Sequence, residues 1–239
     1  MNPAALEAAM PLDPDRAARE ARKMQRSRQL LDAAARVMER EGSHAVSMQA
    51  VADEADVSVG LIYRYFGGKD ELLLAVILNV LEDFASTVPA AVEAAGDDPV
   101  ERLAAAFGAY CRVIERHRHA TVLTYRESKS LDEAGRRRIK EYEVETTQPL
   151  VGVLRDGIDA GVFRPVEPEM VAYNLLLVAH AWALKHWYFE RTLSFEDYVR
   201  NQLSLALHGL IEPRQRRRYT RFLEASERRS RPSTVTPGS

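Results

Sequence analysis

Residues 47–66, SMQAVADEADVSVGLIYRYF, constrain the fold more than any other stretch of the chain. Ser47 is a good N-cap, and Met48, Val51, Ala52 and Ala55 recur at helical spacing behind it. A tight connection, Asp56-Val57, follows. Ser58 can cap a second short helix, Val59–Phe66, which Gly67-Gly68 ends. Ala52 and Ala55 are small, so the two helices can approach closely. Val57 can plug the junction, and Ile62 and Phe66, four apart, can face the same small core. Two short helices at a tight turn, preceded by a third, make a helix-turn-helix whose second helix can enter a major groove. Val59, Gly60, Leu61 and Tyr63 are then left near its outer, N-terminal face.

The rest of the chain also reads as helix. Leu30, Leu31, Ala34, Val37 and Met38 predict a helix over 24–41, stopped by Gly42. Leu73, Val76, Ile77, Val80 and Leu81 predict another over 69–86. Further helices are expected over 99–117, 120–130, 133–160, 168–190 and 194–211. Pro149 should begin, bend or break its helix, and Gly161 is a C-cap candidate. No alternating run demands a strand, so the fold class is all-α. Beyond Pro213 the chain is polar and is read as a mobile tail.

Composition narrows the classes further. With 239 residues, 46% hydrophobic and 28% charged, the chain can build a packed core, which excludes disorder throughout, collagen and a disulfide scaffold. One cysteine, Cys111, excludes an internal disulfide and a multi-cysteine zinc site, and fits a reducing compartment. The longest apolar window, about 170–184, is interrupted by Asn174 and His180 and falls short of the roughly 20 residues a membrane span needs. Residues 1–11 lack a secretory pattern. The expectation is a cytoplasmic protein with no membrane partner. The net charge is −2, yet both ends are basic. Residues 16–28 carry six basic side chains against Glu20, and 212–239 carry eight arginines against three glutamates. These ends suit solubilising tails or arms that reach for phosphate.

Ser47, Val51-Ala52, Ala55, Val57-Ser58, Gly60, Tyr63, Tyr65-Phe66, Lys69 and Leu72 together resemble the N-terminal motif of the TetR family of bacterial transcription regulators. The resemblance covers about residues 26–78. Asp56 departs from it, where glycine is usual, and so does Gly67-Gly68, where a more polar pair is common. The resemblance implies an N-terminal three-helix helix-turn-helix domain and a C-terminal helical ligand-binding and dimerisation domain. It divides the chain into a basic extension over 1–24, mobile or helical, the DNA-binding domain over 25–75, the ligand and dimer domain over 76–212, and a basic mobile tail over 213–239. It places Ser47, Met48, Gln49, Ser58, Val59, Gly60, Leu61, Tyr63, Arg64, Tyr65 and Lys69 at double-stranded operator DNA, with Arg26 and Arg28 near the backbone. An amide such as Gln49 can bond adenine bidentately. Packing between helices is the lesser alternative for Tyr65.

For the C-terminal part the resemblance implies a small apolar effector. Candidate walls are Phe107, Tyr110, Cys111 and Ile114, then Tyr125 and Arg126, then Tyr173, Leu177 and His180. Each also suits plain core. The run TYRESKSLDE, the DGIDAGVFRP turn and the apolar helix after it resemble regulators that sense acyl-CoA esters. Arg126, Arg136, Arg137, Arg138 and Lys140 could meet the phosphates of such a ligand. Drug-like or other apolar effectors fit the same residues. The two apolar segments 168–190 and 194–211 are where the family forms its homodimer. No catalytic motif, cofactor loop or metal set stands out, so no enzyme activity, cofactor or metal is expected. The competing class is a helical carrier or enzyme for an apolar ligand without DNA binding.

Overall fold

The computed structural model describes residues 14–41 and 46–224. The expected Gly42 stop lies outside the described residues. Among those residues are eleven α-helices: α1 (Pro14–Glu41), α2 (Met48–Glu54), α3 (Val59–Phe66), α4 (Lys69–Ala94), α5 (Pro99–Arg116), α6 (Arg118–Glu127), α7 (Glu133–Asp159), α8 (Pro168–Leu184), α9 (His186–Phe189), α10 (Phe195–Leu210) and α11 (Thr220–Leu223). The described residues contain no strand, only an isolated antiparallel bridge between Phe163 and Ile211. The fold is all-α, with an N-terminal helix-turn-helix and a C-terminal helical domain.

The described chain divides into two compact units. One runs to Glu82 and includes His117–Glu141; the other holds Asp83–Arg116 and the residues from Tyr142 onward. In the first, Leu30, Ala34, Val37 and Met38 of α1 are buried with Val51, Ala52, Ile62, Leu72 and Val76. Glu54, at the end of α2, receives Arg36 Nε at 3.0 Å and Arg40 Nη1 at 3.5 Å from α1. The Arg36 hydrogen bond holds the Glu54 carboxyl below its ordinary range. α6 also packs on α1: Arg126 donates to the Glu39 carbonyl at 3.0 Å, and His119 pairs with the Glu39 carboxylate. Sequence spacing offered no sign that α6 would join the helix-turn-helix unit, because these partners lie 80 and 87 positions apart.

The second unit is a bundle in which α5 packs on α8 and α10. Its core holds Leu103, Phe107, Tyr110, Ile114, Leu150, Leu154, Leu175 and Leu207. Pro149 stays inside α7. Just ahead of it, the buried hydroxyls of Thr146 and Thr147 donate to the Glu143 carbonyl at 3.2 and 2.6 Å. The segment expected to be continuous over 168–190 breaks at Lys185, whose φ of −124° and ψ of 27° leave helical geometry. Of the expected mobile tail, residues 225–239 lie outside the described residues, and residues 213–223 differ from expectation. They form a 3₁₀ segment, Pro213–Tyr219, and then α11. Tyr219 is buried, and with Arg218 it donates to Asp98 Oδ2 at 2.9 and 2.8 Å. Asp98 Oδ1 meanwhile caps α5 through the Val100 N–H at 2.9 Å. A carboxylate sequentially remote from the tail thus fixes it, which composition could not reveal.

By length and composition α4 could cross a membrane, against the expectation that no stretch could. Leu72, Leu73, Val76, Ile77, Val80 and Phe84 along it are nonetheless buried against protein.

The α2–α3 turn puts Asp56 at φ 52°. A left-handed residue with a Cβ costs about 1–2 kcal/mol, less for Asp than for most. Asp56→Ala should therefore lower unfolding stability by about 1 kcal/mol. Asp56→Gly should match or exceed the parent, so equal urea midpoints for the two variants would refute this account.

Candidate nucleic-acid interface and effector core

The hydroxyl of Ser47 accepts the Ala50 N–H at 3.0 Å, so α2 starts where the sequence placed it. α2 closes on α3 through Val57 N–H donating to the Ala52 carbonyl at 2.9 Å. Ser58 is extended at the start of α3, and its side chain makes no cap bond to the helix. The Leu61 N–H donates to the Ser58 carbonyl at 2.9 Å, so the first turn of α3 offers the Val59 and Gly60 N–H groups and a hydroxyl to an outside acceptor, the arrangement that favours phosphate.

One buried residue anchors α3. Ile62 is fully buried, while Gly60, Tyr63 and Arg64 are exposed and Val59, Leu61 and Tyr65 are half-buried. A Cβ added at Gly60 would meet nothing within 4 Å. The backbone there is bare, which permits close approach by a partner. Gln49 is exposed, and its amide donates to Asp53 Oδ1 at 2.7 Å, which holds it along the outer face of α2. Tyr65 lies against Phe66, with centroids 5.9 Å apart, and Lys69 is half-buried at the start of α4. Arg26 and Arg28 are exposed on α1. Met48 differs from the rest. The resemblance set it at DNA, yet its side chain is buried beneath α2 and joins the core, as its apolar character favours.

The effector candidates separate. Phe107, Tyr110, Cys111, Ile114 and His180 are all buried in the second unit. Phe84, which the sequence reading did not single out, stacks on Tyr110 with centroids 4.0 Å apart. The Tyr110 hydroxyl lies 3.4 Å from His180 Nε2. Tyr125 and Arg126 belong to the other unit, and Arg126 is engaged with a backbone carbonyl. Tyr173 and Leu177 are exposed on the far side of α8, Leu177 by 55%. Met170, on the same face of α8, and Leu205 of α10 are also exposed, Leu205 by 72%. A groove of about 330 Å³ between α8 and α10 is lined by Val171, Asn174, Val178, Gln202, Leu205 and Ala206 among others.

Titratable groups in this core are held neutral. Burial pushes the Cys111 thiol up, so it is no nucleophile at neutral pH. Burial pushes Tyr198 up to about 12, and its hydroxyl donates to the Val178 carbonyl. Burial pushes His180 down from its ordinary 6.5 to about 4. Between these values the unfolded chain binds a proton that the folded chain does not. The His180 contribution to stability is therefore complete above pH 6.5 and is lost as pH falls through the window. A loss of up to roughly 3 kcal/mol by about pH 4 is expected from this group. His180→Gln should flatten the slope of unfolding free energy between about pH 6.5 and 4.5. An unchanged slope would assign the effect elsewhere. Among the described residues no His, Cys, Asp and Glu cluster could hold a metal ion.

Two family profiles match the chain. "Bacterial regulatory proteins, tetR family" matches residues 30–76, and "Tetracyclin repressor-like, C-terminal domain" matches residues 96–210. The HTH-type transcriptional regulator HbdR of Aromatoleum sp. (strain CIB) is 39% identical over 189 residues, 79% of this chain and 80% of HbdR. Among solved structures, the TetR family transcriptional regulator PfmR from Thermus thermophilus superposes with a TM-score of 0.67 at 26% identity, over 77% of this chain and 99% of PfmR. AibR, solved in complex with isovaleryl coenzyme A and operator DNA, has a TM-score of 0.64 at 22% identity, over 75% of this chain and 97% of AibR. At that identity the likeness to AibR concerns the fold alone.

Proposed function

This chain belongs to the TetR family and is a helix-turn-helix transcription regulator, and on that premise we propose that it is a homodimeric repressor released from a palindromic operator by a small apolar effector. The observation that carries the reading is the bare first turn of α3, where Gly60 is exposed and the Ser58 hydroxyl makes no cap bond, with exposed Tyr63 one turn further on. In this reading Val59, Gly60, Leu61 and Tyr63 meet base edges, with Gln49 and Arg64 beside them. Ser47, Ser58, Tyr65, Lys69, Arg26 and Arg28 hold phosphates. The protein works where the chromosome is, in the cytoplasm.

Dimerisation through α8 and α10 is supported by exposed Met170, Tyr173 and Leu177 on α8, by exposed Leu205 on α10, and by the groove that Leu205 lines. A surface of that kind calls for a partner, and two-fold pairing would match a palindrome. The effector would enter among Phe107, Tyr110, Cys111, Ile114 and His180, parting side chains that now pack together. It shifts the equilibrium only if it binds the DNA-incompetent state better. A fatty acyl-CoA is the first ligand to try. The fold accommodates isovaleryl coenzyme A in AibR, and the sequence carries the TYRESKSLDE run. Of the cations suggested for its phosphates, however, Arg126 and Arg136 already donate to backbone carbonyls.

The test is an anisotropy titration with DNA from upstream of its own gene, with and without a long-chain acyl-CoA. Specific binding lost on adding the thioester supports the whole reading. Binding indifferent to it keeps the repressor and directs the search to other apolar compounds. Absence of specific binding across a genome-wide selection of bound DNA would overturn the repressor reading.

A further inference from the structure

The segment after α10 is polar, yet it is bonded to two helices of the second unit. Residues 213–223 contain five arginines, all exposed, around a Tyr219 that is 3% exposed. Toward α5, Arg218 and the Tyr219 hydroxyl donate to Asp98 Oδ2 at 2.8 and 2.9 Å, and Arg221 pairs with Glu101. Toward α10, Arg216 donates to the His208 carbonyl at 2.8 Å, and Ser204 Oγ donates to the Leu223 carbonyl at 2.9 Å. The segment thus bridges the start of α5 and the C-terminal half of α10, two helices that also pack directly. Asp98 divides its carboxylate between two tasks. Oδ1 accepts the Val100 and Glu101 N–H groups at 2.9 and 3.3 Å and starts α5, while Oδ2 holds the segment. The segment can therefore leave without uncapping α5. Solvent-exposed polar bonds around one buried ring make a unit of low local stability, which opens without global unfolding.

α5 carries Phe107, Tyr110, Cys111 and Ile114, all buried. A guest among them must part α5 from its neighbours α8 and α10. We infer that residues 213–223 are a strap that holds this core shut by tying α5 to α10. The inference rests on the proposal that the effector enters there, and it adds the element that sets how readily the core admits one. The strap's bonds form only while α5 and α10 stay together, so they stabilise the closed state alone. Releasing the strap raises the population of the open state, and with it the apparent affinity for any guest of the core, by the same factor.

Cys111 is the chain's one cysteine and lies in this core, so its reaction with a dithiobis(nitrobenzoate) reagent reads the opening directly. The experiment compares the full chain with Arg218→Ala/Tyr219→Phe/Arg221→Ala, which removes the strap's side-chain bonds to α5 and keeps an aromatic ring at 219. Labelling under native conditions should be about ten-fold faster. Amide hydrogen exchange should quicken by a similar factor in α5 and the last two turns of α10, while residues 142–159 of α7, in the same unit, keep the parent's rate. Labelling at the parent's rate overturns the strap. So does faster exchange across the whole second unit, α7 included, which would make the segment a general stabiliser. Tyr219→Phe alone deletes one hydroxyl and should show the same pattern at a few-fold, which keeps the proposal testable if the triple variant does not fold. Neither readout uses DNA or an effector, so the strap and the repressor reading stand or fall separately.

Discussion

Gly60→Asp is expected to leave the protein folded and to lose operator binding by about a hundred-fold or more. The two halves of this result have separate causes. Nothing lies within 4 Å of a Cβ built at Gly60, so the new side chain displaces no neighbour. An acidic group in the first turn of α3 also complements the helix dipole by about 0.3–1 kcal/mol, and replacing an interior glycine helps helix formation. Thermal unfolding should therefore stay level or rise. At the interface the same carboxylate would stand beside Ser58 and the open N–H groups of α3, where a phosphate or base edge is proposed. Like-charge repulsion acts twice in a symmetric dimer, once per half-site. Gly60→Ala should be milder, costing roughly ten-fold through its bulk alone. If both variants bind the operator as the parent does, α3 is not the helix that enters the groove.

The second large effect concerns the other unit. Gly157 lies in the last turns of α7, where alanine would ordinarily be favoured over glycine by about 1 kcal/mol. Here a Cβ would lie 3.0 Å from Phe163 Cγ and nearer still to Cδ2 and Cε2 of the same ring. Phe163 is 1% exposed, and the backbone N–H groups of Val162 and Phe163 both donate to the Gly157 carbonyl at 2.9 Å. Neither the ring nor the turn has room to retreat, because Arg164 N–H and Glu212 N–H tie the same loop to the end of α10. Packing overrides propensity, and Gly157→Ala should destabilise by about 3 kcal/mol, at the upper end of overpacking costs. Chemical denaturation would measure it. Phe163→Leu in the same chain should recover part of the loss, since the two sites share one contact. A Gly157→Ala variant as stable as the parent would show that the Phe163 ring can swing away.

The residues differ in how much they declared on their own. α2 and α3 were legible because every local signal agreed: two serine starts, small residues at the crossing, and Ile62 four residues before Phe66. Asp56 could be read as a left-handed turn residue, and it sits at φ 52°. Helix limits were less secure. α1 starts at Pro14, where a proline suits a helix start, and α4 runs on to Ala94 with Pro89 carried within it, although an interior proline ordinarily breaks a helix. Met48 shows the opposite error, a residue assigned by analogy to an interface when its own apolar side chain belonged to the core.

Local chemistry by itself therefore determined the all-α class, the DNA-reading motif and the composition of the apolar helices. Period, caps and turns act between residues a few positions apart. Only the tertiary structure decided that α6 joins the helix-turn-helix unit, that His180 meets Tyr110 while Tyr173 and Leu177 face away, and that Asp98 captures the segment after Pro213. Those outcomes depend on which faces meet across 70 to 121 positions of chain, and burial strengthens or neutralises a polar group only once the partner helices have closed around it.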